Sequence, residues 1–76
     1  MELPSPEFYE DIWFMLGDVP TDQILAKIRS GCPERGARAV FLEAARLVMS
    51  QISEEQAARR RALGELVHAL QNELGV

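Results

Sequence analysis

Apolar residues recur at helical spacing along most of the 76-residue chain, and that pattern predicts four helices. Ser5-Pro6-Glu7 has the make-up of a helix start: a hydroxyl to cap, a proline whose missing N–H has no partner there, and an acid at the positive end of the dipole. Phe8, Ile12, Met15 and Leu16 follow at i, i+4, i+7 and i+8, and Gly17 can close this first helix, over 6–16, in a left-handed conformation. Asp18-Val19-Pro20 links it to a second helix over 22–30, capped by Thr21 or Asp18 and carrying Ile24, Leu25 and Ile28 on one face. Ser30-Gly31 ends that helix, and Cys32-Pro33 enforces a change of direction.

The third helix, over 33–52, has too wide an apolar arc for an ordinary surface helix. Its main face is Ala37, Val40, Phe41, Ala44, Leu47 and Val48, while Leu42, Ala45 and Met49 extend the arc on one flank. The combined arc covers roughly 220°, against the stripe of about 100° that a helix needs to cover one core. The flank Leu42, Ala45 and Met49 is therefore expected to meet another molecule. Ser53-Glu54-Glu55-Gln56 matches the capping box and reads as a corner, with a kinked continuous helix as the alternative because no Gly or Pro marks the turn. A fourth helix over 54–74 follows, with Leu63, Leu66, Val67, Leu70 and Leu74 as a narrow seam and Gly75 as terminator. Ala58, Ala62 and Ala69 form a small-residue flank where a second helix can approach closely. Gly64 interrupts the same helix on its polar side without evident reason. The expected fold is all-α: two short N-terminal helices and a long helical hairpin in one domain over 1–76, assembled as a dimer.

Composition sharpens this picture. Apolar residues make up 47% and charged ones 26%, as in a globular protein. Chains this short bury only about 60% of their unfolded surface and often need a disulfide, a metal or self-association. The single cysteine, Cys32, and single histidine, His68, supply neither an internal bridge nor a His-rich metal site, so self-association or docking on a larger partner is the natural remedy. The acidic, proline-containing start does not read as a signal peptide, and no apolar run approaches the ~20 residues of a membrane span; a cytoplasmic location follows as the expectation. Seven arginines against one lysine, beside nine alanines, suggest GC-rich coding of bacterial or phage kind.

Candidate chemistry is sparse. The sequence offers no nucleophile with a base at plausible spacing and no phosphate loop, so no catalytic residue, cofactor or metal is expected. Helices two and three have the layout of a helix-turn-helix, with Arg35, Arg38 and Arg46 on the second, and Arg59-Arg60-Arg61 is a compact basic run. Against nucleic acid stand a net charge of −4, the apolar surface of helix three, and the divergence of consecutive helical side chains. The aromatics say more: Tyr9, Trp13 and Phe14 cannot all point into the core that Phe8 and Ile12 face, and surplus aromatics are typical interface anchors. The functional expectation is a small interaction module that binds another protein as inhibitor, adaptor or anti-activator, with a DNA-binding regulator and a structural subunit of an assembly as alternatives. The interface is expected at Tyr9, Trp13, Phe14, Leu42, Ala45, Met49, Ala58, Ala62 and Ala69.

Overall fold

A computed structural model describes residues 3–76; Met1 and Glu2, which the sequence reading includes in the domain, lie outside the described residues. Over the described residues the chain is an all-α bundle of four helices, α1 (Pro6–Met15), α2 (Thr21–Gly31), α3 (Arg35–Gln51) and α4 (Ala57–Leu74), with a 3-10 turn at Glu54–Gln56. Cross-chain contacts give the directions. Asp11 meets Lys27 and Phe8 covers Gly31, so α1 and α2 are antiparallel. Thr21 bonds Glu65 and Arg29 bonds Glu73, so α2 runs parallel to α4. Arg35 donates to the carbonyl of Leu74 while Met49 lies against Gly64, so α3 and α4 form an antiparallel hairpin.

Helix ends depart from the expected capping. Ser5 and Ser53 both sit in extended conformation ahead of their helices, yet neither side chain makes a cap hydrogen bond. The corner is made by backbone instead: Ile52 (ψ 136°) and Ser53 (ψ 159°) are extended, and the 3-10 turn closes with Gln56 N–H donating to the Ser53 carbonyl at 3.1 Å. Thr21 is the first residue of α2 rather than its cap, and its hydroxyl donates to Glu65 at 3.3 Å. Pro33 stays in the connection, so α3 starts two residues later than its sequence suggests. Both glycine terminators behave as composed: Gly17 (φ 90°) and Gly75 (φ 76°) are left-handed, and Val76 N–H closes the α4 end on the Gln71 carbonyl.

The core belongs to α4. Leu63, Leu66, Val67, Leu70 and Leu74 are all buried, and they meet Ile24, Ile28 and Cys32 from the α2 side and Phe41, Leu42 and Ala45 from α3. Ile12 and Leu16 complete the cluster from α1. The expectation that Leu42, Ala45 and Met49 form an open flank is thereby corrected. Leu42 is 2% and Ala45 6% exposed, and Met49 is half-buried against the cluster. The reason is the direction in which α4 packs: it covers the flank of α3's arc, so the arc's other half is left uncovered.

Two glycines give opposite predictions. A Cβ on Gly31 would stand 2.3 Å from the Phe8 ring, so Gly31→Ala should push α1 off α2 and cost about 1–3 kcal/mol by denaturant unfolding. A Cβ on Gly64 would make ordinary contact, 3.8 Å from the Met49 sulfur. Gly64→Ala should therefore stabilise the fold by up to about 1 kcal/mol, the helix-propensity difference. Equal effects at the two positions would show that α1 is not seated as described.

Candidate protein-interaction groove

The uncovered half of α3 is Val40, Ala44, Leu47 and Val48, spaced i, i+4, i+7, i+8. Leu47 is 60% exposed, and Val40 and Val48 about 40% each. These residues read from sequence as the core-facing stripe; periodicity gives the arc's width and not which part a neighbour will cover. Helix α1 stands beside them and makes the second wall. Its Phe8 and Tyr9 pack on Phe41: Tyr9 stacks on that ring at 5.5 Å and 9°, and Phe8 meets it edge-on at 6.1 Å. The aromatic cluster holds α1 to α3 at one end, and no sequence signal links residues so far apart.

Between the two helices lies a shallow groove. Ile12, Leu16, Phe41, Ala45 and Leu63 form its floor; Tyr9, Trp13, Ala44 and Val48 form its walls. Every lining residue is apolar or aromatic. The short side chains of Ala44 and Ala45 explain why α1 and α3 leave space there. The enclosed volume is about 90 Å³, below the ~300 Å³ at which pockets begin to enclose a drug-sized ligand. The groove is suited to side chains projecting from a docked element rather than to a small molecule.

Of the anchors expected from sequence, Tyr9 and Trp13 are half-buried in the wall, while Phe14 is 63% exposed on the outer side of α1. The Arg59 guanidinium lies 5.1 Å from the Trp13 ring centre and 5.9 Å from that of Phe14. Its Nε is buried without a hydrogen-bond partner, so aromatic faces stand in for an acceptor. The alanine flank lies apart from the groove. Ala62 and Ala69 are half-buried and share the side of α4 that bears Glu65 and Glu73, the partners of α2, while Ala58 lies beside Gly17. Close approach occurs there within this chain.

The arginines do not form one basic surface. Arg35 is tied to the end of α4, Arg38 is partly buried with its Nε unpartnered, and Arg46 pairs with Glu43 at 3.5 Å. Arg60 and Arg61 are exposed on α4, and Arg59 is committed to the rings. His68 is exposed and bonds Asn72 at 3.3 Å. Among the described residues no three His, Cys, Asp or Glu side chains come together as a metal site, and no helix is long and apolar enough to cross a membrane.

Cys32 sits fully buried at the end of α2. Burial pushes its thiol pKa up, and the charge of Arg38 offsets part of that rise. Tyr9 is raised too, by burial first and by Cys32 second. Raised folded pKa values mean that the folded state holds these protons longer than the unfolded chain does. The associated stability is complete below about pH 8.5, where an unfolded cysteine begins to ionise, and declines as pH rises beyond it. Melting temperature should fall as pH rises above about 8.5, and Cys32→Ala should flatten that fall; an unchanged slope in the variant would remove Cys32 as its cause.

No family model matches the chain, nor does any curated protein or solved structure.

Proposed function

We propose that this chain is a small non-enzymatic interaction module that receives an apolar helical element of a protein in the groove between α1 and α3. The observation that supports this reading is the continuous run of exposed or half-exposed apolar side chains, Val40, Ala44, Leu47 and Val48, beside a wall carrying Trp13. Clustered apolar exposure with aromatic anchors is the surface composition of binding sites, and an amphipathic helix presents complementary i, i+3, i+4, i+7 ridges. An inhibitor, adaptor or anti-activator works by such occupancy alone. Chemical catalysis has no part in this reading: Tyr9 is the single titratable side chain among the lining residues, with no second acid, base or nucleophile among them.

The test is affinity purification of the tagged chain from its native cell, wild type beside Val48→Glu, with helicity measured on both. Proteins recovered by the wild type and lost from the equally helical variant support the reading. Identical recoveries would overturn it.

A further inference from the structure

We infer that Arg59 is the positioning residue of the groove: it fixes the Trp13 indole as a partition between two recesses along α3, and so sets which helix the groove takes. The selectivity rests on the groove reading, while the hold on Trp13 stands apart from it.

The hold comes from where Arg59 places its charge. Asp18 and Glu55 share a cleft with it, yet the ion pairs among the described residues do not include Arg59. Its guanidinium lies instead over Trp13 at 5.1 Å and Phe14 at 5.9 Å, within the reach of a cation–π contact. The Nε is out of water with no hydrogen-bond partner, so the ring faces supply the compensation for its lost hydration. Tyr9 and Phe41 secure α1 one turn earlier. At the level of Trp13, Arg59 reaches across from the first turn of α4 and does the same for the indole.

The indole so held is shared by two recesses of different chemistry. The first is the apolar groove, where Trp13 and Val48 stand with Tyr9, Phe41, Ala44 and Ala45. The second continues toward the corner, where the same Trp13 and Val48 meet Gln51, Ile52, Ser53 and Gln56. It offers two amides and a hydroxyl, groups that stay costly to cover unless the occupant bonds to them. Their α3 residues differ in mean level by about six positions, or about 9 Å at 1.5 Å per residue. On a docked helix, residues i and i+7 share a face about 10.5 Å apart, whereas i and i+4 are only about 6 Å apart. The fitting occupant is a helix with an apolar side chain for the first recess and an amide-tipped one, seven residues away, for the second.

Acrylamide quenching of Trp13 emission reads the hold with no partner present. Arg59→Met keeps an apolar stem and loses the charge, while Arg59→Lys keeps a charge. Quenching should rise about twofold in Arg59→Met and return most of the way in Arg59→Lys, with far-ultraviolet circular dichroism unchanged in both. Simple filling of space by the stem would leave Arg59→Met like wild type, and that result would overturn the proposal. For selectivity the probe is a braced, neutral helical peptide carrying leucine and glutamine seven residues apart on one face. Binding is followed by the methyl resonances of Val48, which lines both recesses. Wild type should take this peptide about tenfold more tightly than one with the same pair four residues apart, and Arg59→Met should lose the preference. No preference in wild type, or one that survives Arg59→Met, would overturn the selectivity. If wild type binds neither peptide while the quenching contrast holds, the groove reading fails and the hold of Arg59 on Trp13 stands.

Discussion

Leu66→Ala should leave most molecules unfolded at room temperature. Leu66 is 0% exposed at the middle of α4, the helix that contacts both α2 and α3. Truncating a buried leucine costs about 2–5 kcal/mol, and the upper part of that range applies where the surroundings cannot collapse into the space. Here three helices meet, and closing a void on one side would open one on another. A single core in a chain this short rarely supplies more than about 3–5 kcal/mol in all. The loss is thus comparable to the whole. Far-ultraviolet circular dichroism at 25 °C reads the outcome directly. Leu47→Ala, at a position 60% exposed, is the control and should change stability by no more than about 0.5 kcal/mol. A Leu66→Ala protein melting within a few degrees of wild type would show that α4 is not the centre of the bundle.

The second large effect is on binding and not on folding. Leu47→Glu should leave the melt nearly unchanged while reducing association through the exposed stripe of α3 beside the groove by about a hundredfold. The leucine already stands mostly in water, so the substituted carboxylate is solvated in the free chain. On docking, that charge must enter an apolar contact with no partner, and desolvation of an unpaired charge costs several kcal/mol. The matching substitution at Leu42 should behave in the opposite way. Leu42 is 2% exposed, so Leu42→Glu forces the charge into the chain's own core and should unfold it outright. The pair separates inner and outer halves of α3's arc by a single assay, a melt beside a binding isotherm. A Leu47→Glu chain that melts early while Leu42→Glu folds normally would reverse the orientation of α3.

That orientation is where sequence reading and structure part. The seam of α4 was legible because leucine and valine at spacing of three and four leave one narrow face, and all five residues are buried. Gly17 and Gly75 were legible because little else adopts a positive φ at a helix end. The arc of α3 was legible in width and misread in direction. A periodic pattern records how much of a helix is apolar; which part is covered depends on where α4 returns after the corner. The corner itself was found for a partly wrong reason. Ser53 and Gln56 have the capping-box spacing, yet Ser53 makes no side-chain cap bond, and two extended residues followed by a 3-10 turn reverse the chain. The groove was out of reach altogether. It exists because Phe8 seats on Gly31 and Tyr9 stacks on Phe41, contacts between segments more than twenty residues apart.

Emission from Trp13, the chain's single tryptophan, tests most directly whether the face between α1 and α3 docks a helix. The indole sits half-buried in the groove wall beside Ala44 and Val48, so filling the groove removes its remaining contact with water. Adding a protein recovered through the groove should shift the emission to the blue as it binds, and Val48→Glu should show no shift at the same concentrations. An emission maximum that stays fixed while the wild-type chain associates would place the contact on another face and contradict the account.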